Sequence, residues 1–422
     1  MKKKILIVLA ILCIAGITLT GVLYMNKNKK QNINNDDEIK YVDNSFNLNL
    51  IKKVNFNKNE NYLVSPYSVE IALNLLREGA NGNTLTEIEK VIGKRTINDV
   101  SIKNRVSVAN AAFVKDKYKE SIKKEFYNDI KTKYNSEILY DEFTTPKVIN
   151  DWVNDKTDGM IKEVLSNMNP NFILGLANAL AIDVEWVSPF DCNNTQKEKF
   201  TKLDGTRYDT EMMHRTLKYD SYKYLKDDKA VGVVMPYKKY AKNTGEEVYE
   251  DGSELEFIAI IPNDNLHNYI NNLTENDIEN LYIEGKEVSS EFEINLSLPR
   301  FKYDYTLDNF KEILIDLGIK DAFDEENADF SNISDTEKIY VGEAIHKTHI
   351  DLNEKGTKAA AVTYFGMYTS GIPMKVESVD VIFNRPFLYM IRDTETKEIL
   401  FFGTVYEPNK WIGRTCSEEL EN

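Results

Sequence analysis

The 422-residue chain predicts one large α+β domain over 44–411. Three observations carry this. Helical and strand-like apolar periods are interspersed without the strict alternation of a doubly wound parallel fold. After one polar stretch at 26–43, no second linker and no internal repeat interrupts the chain. With 42% hydrophobic residues and only 10 prolines, the composition is that of a chain that packs a core. Residues 412–422 are left as a C-terminal tail.

Lys2, Lys3 and Lys4 precede an uncharged run over 5–25, long enough to cross a hydrocarbon core that takes about 20 residues as a helix. Residues 1–25 are therefore a membrane anchor or a signal peptide. Thr18 and Thr20 stand where a cleavage site would carry small residues such as alanine, which favours the anchor. Cys13 lacks the neighbours of a lipid-modified bacterial cysteine. Basic residues flank both ends of the run, so charge orients it only weakly; the body is placed outside the cell, tethered or secreted. Residues 26–43, rich in Asn, Lys and Asp, read as a polar tether.

Within the domain, Ser65 is a helix N-cap with Pro66 at the first helical position. Val69, Ala72, Leu73 and Leu76 follow at helical spacing, and Gly79 is the stop. Val148, Trp152, Val153 and Ile161 mark a second helix closing near Asn169 and Pro170. A strand over 174–186 has Leu176, Leu180, Ile182, Val184 and Trp186 on one face, with Ala177, Ala179, Ala181, Asp183 and Glu185 on the other. Asn178 falls on the apolar face and needs a buried polar partner. Further strands are predicted over 231–235, 255–262 and 291–298, with a polar hairpin or insertion over 238–253 between the first two. A helix over 307–317 stops at Gly318. A strand over 339–354 carries His346 inward with Tyr340, Ala344, Thr348, Ile350 and Leu352, and His349 outward at the surface. Residues 379–406 are strands around Pro386.

A net charge of −15 excludes the basic stripe that a nucleic-acid partner requires. Three cysteines are too few for a disulfide framework or a zinc cluster. Cys13 lies in the apolar run, so at most Cys192 and Cys416 pair, and they are read as free thiols. No HExxH, CxxC, phosphate loop or nucleophile elbow is present, so no local motif calls for an enzyme, metal or cofactor.

The segment after Gly356 is unusual. As a strand, one face carries Thr357, Ala359, Ala361, Thr363, Phe365, Met367 and Thr369, all uncharged. The other carries Lys358, Ala360, Val362, Tyr364, Gly366 and Tyr368. Such a segment fits between existing strands with Lys358 in water; an alanine-rich loop or edge strand fits the pattern equally.

Several blocks in order resemble the serpins over essentially all of 44–411: NYLVSPYSV at 61–69, ANALAI at 177–182 with Trp186, Pro189 and Phe190, LSLPRF at 296–301, NEKGTKAAA at 353–361, and FNRPF at 383–387. The resemblance implies three β-sheets, eight or nine helices and an exposed reactive-centre loop. It implies a metastable, monomeric suicide inhibitor rather than an enzyme, one that needs no cofactor and whose partner is a target protease captured as a covalent acyl complex. By the same resemblance Glu354, Gly356, Thr357, Ala359, Ala360 and Ala361 form the insertion hinge. Ser65, Ser68, Asn178 and His346 form the polar cluster where the sheet opens, called the shutter. Trp186, Arg300 and Glu354 sit at the top of the sheet, called the breach. Counting 17 residues from Glu354 puts the cleaved bond at Ser370–Gly371, with Tyr368 and Thr369 as alternative positions. Lys358 departs from the glutamate that inhibitors usually carry there. The alternative is a non-inhibitory serpin acting as a binding or chaperone protein; a hinge that is small and uncharged on its inward face favours inhibition.

Overall fold

The computed structural model describes residues 45–56, 59–94, 106–218, 222–239, 254–357 and 376–413. The first elements are α1 (Ser45–Asn55), β1 (Tyr62–Val64), α2 (Pro66–Gly79), α3 (Gly82–Ile92), β2 (Val106–Lys115), α4 (Lys124–Tyr134), β3 (Glu137–Asp141) and α5 (Lys147–Lys156). β4 (Leu174–Ile182), β5 (Val184–Glu185), β6 (Gln196–Thr201), β7 (Arg207–Leu217), β8 (Lys223–Lys226), β9 (Ala230–Pro236) and β10 (Leu255–Pro262) follow. After α6 (Leu266–Asn272), α7 (Glu275–Ile283) and β11 (Lys286–Glu287) come β12 (Phe292–Pro299), β13 (Phe301–Thr306) and α8 (Phe310–Leu317). The chain closes through β14 (Lys347–Leu352), β15 (Gly356–Thr357), β16 (Glu377–Ile382), β17 (Phe387–Asp393) and β18 (Ile399–Val405).

The strands form a seven-stranded sheet, β1-β18-β17-β10-β9-β8-β11, and a four-stranded sheet, β16-β12-β7-β6. Two further ladders run β3-β2-β4 and β13-β14-β15-β5. β5 continues β4 after a break at Asp183, so the chain itself joins these two ladders. Ser65 starts α2 as predicted: its hydroxyl accepts from the Ser68 N–H at 3.1 Å and Pro66 takes the first helical position. α2 is buried on nearly every side because it packs against both β4 and β18. On the other face of β2 and β4, the small residues Ala111 and Ala179 let α5 approach, and Ile149, Trp152 and Val153 pack there with Phe113. That is why the alanine face of the strand is buried rather than wet.

Some predicted boundaries move. The second helix ends at Lys156, not near Asn169, because Asp158 and Gly159 turn the backbone to positive φ and the Thr157 hydroxyl bonds back to the Val153 carbonyl at 2.7 Å. Ile161 is thus a buried loop residue. The 174–186 strand is interrupted at Asp183, and the 307–317 helix begins only at Phe310. The 339–354 strand shrinks to Lys347–Leu352; residues 339–346 have no regular structure and Tyr340 is exposed. His349 is half-buried with its Nδ1 2.7 Å from Asp304 Oδ1, rather than a free surface residue. Cys192 is not a free thiol but disulfide-bonded. The predicted anchor and tether, and 240–253 of the polar insertion, lie outside the described residues.

Candidate functional site

The described part of the predicted hinge, up to Thr357, follows β14 and turns straight back into the sheet. Gly356 pairs antiparallel with Glu185, and Thr357 with Val184 on one side and Leu352 on the other. Gly356 is required there: a β-carbon would lie 2.1 Å from the Val184 carbonyl oxygen, in a backbone at φ +156°. Thr357 is buried and its hydroxyl meets the Tyr237 hydroxyl at 2.8 Å. Directly ahead of it lies a small cavity of about 20 Å³, lined by Leu180, Ile182 and Ile350, with Met160 and Ile161 from the loop after α5.

Around this turn the structure brings Trp186, Arg300 and Glu354 together. Trp186 is fully buried, stacked on Tyr237 with ring centroids 4.6 Å apart, and its indole N–H donates to the Asn353 carbonyl at 3.0 Å. Its backbone N–H donates to the Lys355 backbone carbonyl and that of Phe190 to the Glu354 backbone carbonyl, both at 2.8 Å. Arg300 Nη2 lies 2.5 Å from Glu354 Oε2, and its Nη1 lies 3.7 Å from Glu211 Oε2. The other Glu354 oxygen accepts from the Thr195 hydroxyl. All three charged side chains are under 10% exposed, so removing one partner leaves an uncompensated buried charge, at about 3–5 kcal/mol.

Lower in the sheet, the N-terminal turn of α2 touches both strands that flank the cavity. On the β14 side, His346 Nε2 accepts the Ser65 backbone N–H at 3.0 Å, which makes it the neutral tautomer with hydrogen on Nδ1. Burial against α2 and the Phe310 ring pushes its pKa down to about 4. On the β4 side, the Ser68 hydroxyl donates to Asn178 Oδ1. Asn178 Nδ2 then donates to Asn110 Oδ1 at 2.9 Å, and Asn110 Nδ2 to the Tyr134 carbonyl at 2.9 Å. Asn178 thus has the partners its place on an apolar face demands. Ser65 and Ser68 act as one bracket across the two strands, and spreading these strands must strain or break its hydrogen bonds.

Ala359, Ala360, Ala361, Tyr368, Thr369, Ser370 and Gly371 lie outside the described residues. Sequence reasoning passed over Asn110, Thr195, Glu211 and Tyr237. Asn110 carried a usable signal, an amide inside the apolar run VANAAFV. Thr195, Glu211 and Tyr237 are recognisable only once strands distant in sequence are adjacent. Among the described residues no cluster of potential metal ligands occurs, and no helix is long and apolar enough to cross a membrane.

Comparison with known proteins gives one answer. The family model described as "Serpin (serine protease inhibitor)" matches residues 42–408. An uncharacterised serpin-like protein of Thermococcus kodakarensis is 30% identical, over 86% of this chain and 84% of its own. The leukocyte elastase inhibitor of Xenopus tropicalis is 28% identical, over 86% of this chain and 97% of its own. The crystal structure of the thermophilic serpin tengpin in its native state superposes with a TM-score of 0.72 at 32% identity, covering 89% of this chain and 95% of tengpin. A solved structure of thyroxine-binding globulin in complex with thyroxine has the same fold at 23% identity and a TM-score of 0.72, covering 88% of this chain and 99% of its own. With its α+β architecture of several sheets and a family match over residues 42–408, this chain belongs to the serpin family.

Proposed function

We propose that this serpin is a suicide inhibitor of serine proteases, with cysteine proteases as a second target class, and that it works outside the cell. The protease attacks the loop near Ser370–Gly371 and forms an acyl-enzyme. The freed loop then enters between β14 and β5 as a new strand, carrying the protease with it and distorting its active site before water can deacylate it. This is strand addition of the kind for which serpin loop insertion is an established example. About ten new ladder hydrogen bonds at about 1 kcal/mol each supply on the order of 10 kcal/mol, enough to deform an active site.

The observation that carries this reading is the hinge itself: Gly356 and Thr357 already occupy the start of the new strand, between β14 and β5. The small, uncharged residues that follow on the inward face, Ala359 and Ala361, suit continuation of that strand, and a relative is named as an elastase inhibitor. Neither Arg nor Lys precedes the proposed bond, so the expected targets are elastase-, subtilisin- or chymotrypsin-like. The test is incubation with a panel of such proteases. A complex that survives boiling in detergent, with mass spectrometry placing the cut at 368–371, is the expected result. If every protease cleaves the loop and turns over, the protein is a non-inhibitory serpin and the binding role takes precedence.

A further inference from the structure

We propose that Tyr237 is a positioning residue that holds the start of the hinge in the sheet of the resting, uncleaved protein. Its consequence for inhibition rests on the insertion reading above, whereas the hold itself is a property of the free chain. β15 gives the hinge only a short grip: it is two residues long, and Gly356 has no side chain to pack. What remains is the ladder to Val184 and Leu352 and the side chain of Thr357. That side chain is buried, and its hydroxyl lies 2.8 Å from the Tyr237 hydroxyl, its partner among the described residues. A buried hydroxyl needs such a partner, and the tyrosine supplies it from a different sheet.

The tyrosine is fixed from several directions. It directly follows β9 of the seven-stranded sheet, and its N–H donates to the Leu255 carbonyl at 3.0 Å. On its other side it forms an antiparallel bridge with Trp186. The bridge is flanked by bonds from the Val187 N–H to the Pro236 carbonyl at 3.2 Å and from the Lys238 N–H to the Glu185 carbonyl at 2.8 Å. Trp186 stacks on the tyrosine ring with the planes 10° apart, and Phe257 of β10 meets the indole edge-on at 5.5 Å. Burial pushes the phenol's pKa up, which keeps it a neutral hydroxyl at physiological pH. A ring braced in this way does not follow Thr357 out of the sheet. The seven-stranded sheet therefore sets the point to which the hinge is tied, although the hinge itself belongs to the β13-β14-β15-β5 ladder. Without the tyrosine hydroxyl, the Thr357 hydroxyl is buried and unpaired, which shifts the hinge toward the outside of the sheet by about tenfold. Insertion then starts later, and deacylation of the trapped protease gains time.

The experiment uses the full-length chain, first without protease, and the variants Tyr237→Phe, Thr357→Val and both together. Phenylalanine keeps a ring on Trp186, and valine keeps the branched shape of threonine without its hydroxyl. Amide hydrogen exchange is read by mass spectrometry on peptides covering 353–357, with β12 as an internal reference. Tyr237→Phe should speed exchange of the hinge about tenfold and leave β12 unchanged. In the Thr357→Val background the same substitution should change exchange by less than about twofold, because no hydroxyl is left there to lose its partner. Equal effects in both backgrounds would mean that the tyrosine acts through packing alone, and unchanged exchange in Tyr237→Phe would mean that its hydroxyl holds nothing. Either result overturns the assignment. A protease panel then separates the hold from the inhibitory reading. Where the parent traps a protease, Tyr237→Phe should raise the protein consumed per protease trapped by about twofold or more, and an unchanged ratio overturns the consequence drawn for inhibition. If the parent traps none, the inhibitory reading fails, while the exchange result still decides the hold.

Discussion

His346 should make folding stability fall with acid in a window set by its burial. Its ordinary pKa of 6.5 is lowered to about 4 in the folded chain. Between these values the unfolded chain binds a proton that the folded chain refuses. Stability is therefore whole above about pH 6.5 and declines as pH drops through the window. The slope is about 1.4 kcal/mol per pH unit, so the contribution lost by pH 4 is about 3 kcal/mol. Protonation also places a hydrogen on Nε2, which can then no longer accept the Ser65 N–H, and the bracket loses its hold on the β14 side. His346→Gln keeps an acceptor near that position but does not titrate. Urea midpoints for parent and variant at several values between pH 7.5 and 4.5 check the argument, because carboxylate titrations common to both cancel in the difference. Between pH 6.5 and 5 the parent should lose about 2 kcal/mol more than His346→Gln. Parallel profiles would mean that His346 is not the buried neutral group described above.

If the proposed inhibitory role holds, Thr357→Arg should make the protein a protease substrate. It puts a charge where Thr357 is buried against Tyr237, and the protein consumed per protease trapped should rise about tenfold or more, read from titrations of residual protease activity. Retained inhibition would contradict the strand register. Asn110→Leu should lower stability by about 1–3 kcal/mol, since it leaves Asn178 Nδ2 and the Tyr134 carbonyl short of their partner. Denaturant melts would show it, and a change below about 0.5 kcal/mol would mean the amide chain is not a stabilising unit.

The α2 start was legible in the sequence because capping is local: Ser65, Pro66 and a helical apolar period lie within a few turns. The same holds for the strand at Leu255–Pro262, whose predicted and observed limits coincide. Asn178 and His346 announced themselves as polar residues on apolar faces, and the block pattern assigned them a family and a place. Their partners could not be read in advance. Ser68 stands 110 residues from Asn178, Ser65 stands 281 from His346, and Glu354 meets Thr195 across 159. Such pairings depend on which strands become neighbours, a choice made by the whole core. Helix α5 ended early for a similar reason: its apolar period continued in the chain, but Ile161 is used over the cavity rather than in another helical turn. The sequence alone determined a serpin with a small-residue hinge and an uncharged inward face. Tertiary structure decided that Gly356 must pass within contact of Val184 and that a bracket of α2 spans both flanking strands. These are relations between residues far apart in the chain, and only packing brings them within contact and hydrogen-bond range.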